Sequence, residues 1–161
     1  MAWRLLLPRL LLFACLLPVG CTRGSPSGFP RVTFDCPSPY SIVVEYFDGV
    51  PMWFLAEDQA WLTTRKLAPE EVGRFVAQGA DGYQPGVEVS KEVPLTRLGD
   101  QHGNGYLHRR EDSSGYTEVV IFDADTDSGT YLVTVWAGFD SAVATRAFTD
   151  FIRLHLVLQV E

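Results

Sequence analysis

From Tyr116 to Trp136, apolar and polar positions alternate in two runs separated by a short acidic stretch. In the first run Thr117, Val119, Ile121 and Asp123 alternate with Glu118, Val120 and Phe122. In the second, Tyr131, Val133 and Val135 alternate with Leu132, Thr134 and Trp136. A period of two, rich in β-branched and aromatic residues, predicts β-strands. The intervening Asp123 to Gly129 consists of residues that favour turns and local side-chain hydrogen bonds over ladder pairing. Two strands joined by a tight acidic corner therefore form the centre of the expected fold.

The same pattern continues on both sides. Arg31–Cys36 reads as a strand with Val32, Phe34 and Cys36 on one face, and Cys-Pro-Ser-Pro39 interrupts it. Ser41–Phe47 and Val50–Leu55 flank Asp48-Gly49, the strongest short-range signal for a hairpin in the chain. Within it Ile42, Val44 and Tyr46 share a face, which favours Tyr46 over Trp53 as the core aromatic. Pro69–Gln78 predicts a short helix: Pro69 suits the first turn, Glu70 and Glu71 favour the positive end of the dipole, and Gly79 stops it. Val72, Phe75 and Val76 would pack inward, and residues 65–84 read as an insertion. Gly86–Val93 is a further strand, Leu98–Gly105 a polar, glycine-rich loop, and Tyr106–Glu111 a strand entering the Ser113–Gly115 turn. Gly138–Thr145 reads as a loop, and the alternation of Ile152, Leu154, Leu156, Leu158 and Val160 makes Phe148–Val160 a final strand. The expected class is all-β with one short helical insertion, and no internal repeat is present.

Length and composition set the frame. At 161 residues and 47% hydrophobic content, the chain holds one ordinary domain and a leader. Arg4 and Arg9 precede Leu10–Leu17 and then small residues, the arrangement of a secretory signal peptide over residues 1–24. Residues 25–30 form a Gly/Ser/Pro linker and 31–161 the domain. Removal of the leader takes three of the 13 basic residues and none of the 20 acids, so the body carries ten more acids than bases. Such a surface repels phosphate backbones and anionic membranes, which excludes nucleic acid as a partner. Secretion or surface display is the expected location, with membrane attachment only through an anchor outside the sequence or through a lipidated Cys21. Leu17-Pro-Val-Gly-Cys21 supplies that second route, a lipobox-like segment, and with it the alternative of a bacterial-type lipoprotein binding a small ligand. Cys36 is the thiol the domain keeps. It reads as a buried small hydrophobe, with a dimer linked through Cys36 as the other outcome.

Candidate chemistry is sparse. Asp123, Asp125 and Asp127 alternate like the ligands of a calcium loop, but that loop places glycine sixth and glutamate twelfth, where Ser128 and Thr134 stand. His102 and His108, with Asp100 and Glu111 nearby, lack metal-ligand spacing and read as surface residues, as does His155 on the solvent face of the final strand. No nucleophile elbow, phosphate loop or dinucleotide fingerprint is present. The sequence thus offers no enzyme, no cofactor and no metal site.

Asp127-x-Gly129-x-Tyr131 resembles the corner motif of immunoglobulin-superfamily domains of variable type, in which a tyrosine hydroxyl locks the turn between strands E and F. The resemblance implies an immunoglobulin-like β-sandwich over residues 31–161, without the usual disulfide because Val133 stands where the second cysteine belongs. It also implies a charge partner for Asp127, with Arg109 or Arg110 placed to supply it. The segment Asp127–Gly138 is similar to the corresponding part of herpesvirus envelope glycoproteins E and I. The function implied is a non-enzymatic recognition module that binds another extracellular protein or receptor, such as a viral immunomodulator. Its binding surface would be the sheet of the strands at Ser41–Phe47, Val50–Leu55, Tyr131–Trp136 and Phe148–Val160, with Trp53, Phe54, Trp136 and Phe139 as anchors and Trp61 nearby.

Overall fold

The computed structural model describes residues 28–78, 91–112 and 115–160. The chain is mostly antiparallel β-structure in two sheets. Strands β2 (Val43–Phe47), β3 (Val50–Phe54), β4 (Ala60–Lys66), β5 (Lys91–Leu98), β6 (Gln101–Asp112), β7 (Gly115–Thr126) and β8 (Gly129–Ala137) form a seven-stranded sheet. Its order is β2-β3-β4-β8-β7-β6-β5. Strand β1 (Arg31–Phe34) pairs with β9 (Leu156–Gln159) in a separate ribbon.

Both central strands form where the alternation places them, and they pair with each other from Glu118↔Ala137 to Thr126↔Gly129. The hairpin at Asp48-Gly49 also forms: the turn requires a left-handed backbone, and Asp48 and Gly49 adopt φ of 51° and 82°.

Strand β7 is buried on both faces from Glu118 to Ala124, so the sheet needs two covers. On one side Val120, Phe122, Val133, Val135, Leu62 and Leu107 pack against Phe148 and Ile152 of helix α2 (Ala142–His155) and against Val32, Leu156 and Leu158 of the ribbon. On the other, Val119, Ile121 and Leu132 meet Leu67 and Val76, the latter from helix α1 (Arg74–Gln78). The expected inserted helix is therefore present, although it opens as a single 3-10 turn at Pro69–Glu71 and restarts after Gly73, whose φ is 78°. Val76 is buried and Phe75 partly so, but Val72 faces solvent. Of the expected strand at 86–93, residues 86–90 lie outside the described residues, and β5 begins at Lys91.

Two sequence expectations are corrected. Residues 98–105 are no loop, because β6 begins at Gln101. Gly103 and Gly105 sit within it because β7 lies close against them: an added Cβ would collide with the backbone oxygens of Asp123 and Ile121, respectively, and stand 2.9 Å and 2.7 Å from the Phe122 ring. The other correction concerns 138–160, expected as a loop to Thr145 and a strand from Phe148, because helix α2 begins at Ala142. The chain is helical through His155 and extended only from Leu156. Ser141 caps α2 by accepting a hydrogen bond from the Ala144 N–H at 3.2 Å. Thr145, Phe148, Thr149 and Ile152 then form its buried stripe, while Leu154 is exposed. The tip of the β5–β6 hairpin holds the end of the helix: the Gly99 N–H donates to Arg153 O and the Asp100 N–H to Leu156 O, at 2.9 and 3.1 Å.

If α2 is a cover of the main core, Phe148→Ala will lower unfolding free energy by about 3–5 kcal/mol. Val143→Ala, on the exposed face of the same helix, will stay within about 0.5 kcal/mol of the parent. Urea denaturation of both variants measures the difference, and equal values would remove α2 from the core.

Candidate protein-binding face

Cross-strand register determines which aromatic residues share a surface. On the α1 side of the sheet Val43 stands opposite Phe54, Phe54 opposite Trp61, and Trp61 opposite Trp136. These four residues form one row running across four strands toward the β2 edge. The Trp61 and Trp136 rings stack with centroids 6.1 Å apart and planes 12° from parallel. Phe47 lies beside Phe54 at 6.5 Å. Phe54, Trp61 and Trp136 are each half-buried, which leaves ring surface open to solvent.

Every residue of β2 is exposed, although four of the five are apolar: Val43 and Phe47 each retain 51% of their surface. An edge strand presents unpaired N–H and C=O groups, and proteins usually blunt such edges with proline, bulges or charge. The opposite edge, β5, is blunted in this way: it carries Pro94 and a register break between Leu95 and Arg97. Strand β2 has only Glu45.

The insertion borders this face and is tied to the sheet by acids. Arg65 Nη1 donates to both carboxylate oxygens of Glu71, at 3.1 and 3.0 Å, and the Ala68 N–H donates to the same group. The Ala68 N–H and the Arg65 guanidinium hold the Glu71 carboxyl below its ordinary range. The Gly73 N–H donates to Asp123 Oδ2 at 2.6 Å. Asp123 is buried, its other oxygen meets no donor among the described residues, and desolvation pushes its pKa up.

The structure divides the anchors expected from the sequence. Phe54 and Trp136 share the row, and Trp61 joins them. Trp53 points to the opposite side and is 3% exposed, packed in the main core. Tyr46, expected to be the core aromatic, is exposed instead, because β2 is an edge and nothing among the described residues covers its outer end. Phe139 packs against Phe148 and Tyr40 at 5.3 and 6.3 Å.

At the acidic corner, Tyr131 is buried and Gly129 adopts φ of 120°. The turn joins neighbouring strands of one sheet, fastened by Thr126 Oγ1 donating to Gly129 O at 2.6 Å. Asp127 is exposed there, with no ion pair to Arg109 or Arg110. Register puts those arginines opposite Glu118 and Thr117 at the far end of β6, and Arg109 Nε donates to Glu118 Oε1 at 2.8 Å. His108, expected on the surface, is fully buried beside Glu92. His155 ends a helix rather than lining a strand.

Among the described residues no helix is long and apolar enough to cross a membrane. No family model matches the sequence, and no curated protein or solved structure is detectably similar to it.

The raised Asp123 pKa has a definite sign. Between its unfolded and folded values the native state holds a proton that the unfolded chain has lost, so stability falls as pH rises through that window. Asp123→Asn will remove this component. Denaturation midpoints taken from about pH 4 to about pH 7 will show the parent-minus-variant stability difference declining with pH, and a flat difference would refute the assignment.

Proposed function

We propose that the chain is a secreted or surface-displayed recognition module, without enzymatic activity, that binds an extended segment of another extracellular protein along β2. The observation that carries this reading is the pairing of an apolar, unblunted edge with an aromatic row directly in register behind it. Strand addition gains affinity from main-chain hydrogen bonds and specificity from alternate side chains. Val43 and Phe47 on one face, and Val44 and Tyr46 on the other, would meet alternate side chains of the incoming strand. Glu45 and the acidic body favour a partner with a basic residue near the middle of that strand. The face supports this reading rather than the Asp127–Tyr131 turn, which joins neighbouring strands of one sheet.

Capture from an ectodomain library tests this reading. The double substitution Val43→Lys with Phe47→Lys, on exposed positions, will reduce capture at least about tenfold while leaving the thermal midpoint within a few degrees of the parent. Trp136→Ala will weaken it less. Undiminished capture by the double variant would refute the β2 assignment. Concentration-dependent self-association abolished by the same variant would instead make a second copy the occupant of the edge.

A further inference from the structure

At the opposite side of the molecule from the aromatic row, the β1–β9 ribbon brings together two segments distant in sequence. The chain leaves β1 at Asp35, whose N–H donates to His155 O at 3.1 Å and so extends the ladder by one step beyond Phe34↔Leu156. Asp35 Oδ1 lies 2.8 Å from His155 Nδ1. Cys36 follows directly, and one donor atom from each of Asp35, Cys36 and His155 lies within 4.8 Å of the other two.

We propose that Asp35, Cys36 and His155 form a binding site for a divalent cation of the zinc class. The donor set combines thiolate, imidazole and carboxylate, the three types that zinc accepts, and thiolate with imidazole disfavours magnesium and calcium. Zinc bonds of roughly 2.0–2.3 Å put tetrahedral ligands roughly 3.3–3.7 Å apart. The Asp35–His155 pair stands at 2.8 Å and no pair of the three donors exceeds 4.8 Å, distances close to that range.

The imidazole is held in place. Its ring lies 4.9 Å from Phe151, which packs edge-on against Phe34 and Tyr40 at 5.1 and 5.3 Å. These ring contacts restrict the orientation of the imidazole. Asp35 is exposed and Cys36 and His155 are half-buried, so an ion can enter from solvent. Three protein ligands leave a fourth position for water or for a donor from a partner.

Desolvation and the adjacent Asp35 carboxylate both raise the pKa of the Cys36 thiol. A bound cation reverses the balance, deprotonating Cys36 and neutralising the carboxylate beside it.

Cobalt(II) added to the metal-free full-length chain provides the test. One equivalent is expected to give the near-ultraviolet charge-transfer band of a thiolate–cobalt bond, and zinc is expected to abolish it. Cys36→Ser will eliminate the band, and Asp35→Asn and His155→Gln will each weaken cobalt binding at least about tenfold. Since a variant can fail for reasons of folding, the parent chain supplies a second reading: saturating zinc will protect Cys36 from alkylation, located by peptide mass spectrometry. Absence of the band, its survival in Cys36→Ser, or alkylation of Cys36 unaffected by zinc would each overturn the site.

Discussion

Burial of β7 on both faces is the constraint from which the rest of this architecture follows. Seven consecutive residues, Glu118 to Ala124, are inaccessible, and a strand with two dry faces cannot sit in a sheet that leaves one face to water. The domain therefore needs cover on each side. Helix α2 with the β1–β9 ribbon supplies one, and the insertion between β4 and β5 supplies the other. Each cover is fixed by a few directional contacts: Gly99 and Asp100 on the end of α2, and Asp123 and Glu71 on the insertion.

The two covers also determine where the surface stays apolar. Both concentrate over the middle of the sheet, and toward β3 and β2 the α1 side carries only partly buried rings. A row of cross-strand aromatics stabilises the sheet through its own pairing. Among the described residues its outer end, at Val43 and Phe47, has neither cover nor a blunting device. A covered centre, a stacked tryptophan pair and an open apolar edge thus follow one another along a single ladder register.

Buried charge follows the same division. Glu118 and Asp123 both lie in β7, on opposite faces. Glu118 accepts from Arg109 and from the Tyr116 hydroxyl at 2.6 Å, and Tyr116 in turn accepts from Arg146 of α2 at 3.0 Å. Asp123 receives a backbone N–H instead and carries a desolvation penalty. Each acid leaves one buried oxygen, Glu118 Oε2 and Asp123 Oδ1, without a hydrogen-bond partner among the described residues, a costly arrangement on either face of β7.

Local patterning determined the strands whose period is unambiguous: the β7–β8 pair, the hairpin at Asp48-Gly49, and the presence of a helix after Pro69. Their signals are short-range, resting on alternation and turn chemistry within about ten residues. The final segment misled because Ile152 and Leu156 are four apart, a spacing that satisfies both a strand and a helix. Ser141 was the start signal that would have separated the two readings. Gly103 and Gly105 read as loop because the ring they accommodate belongs to another strand. Only tertiary structure decided which of Trp53 and Phe54 faces the core, since a residue's face depends on which side of the sheet each cover occupies. Only tertiary structure placed Asp35 beside His155, since a pairing across 120 residues leaves no local trace in the sequence.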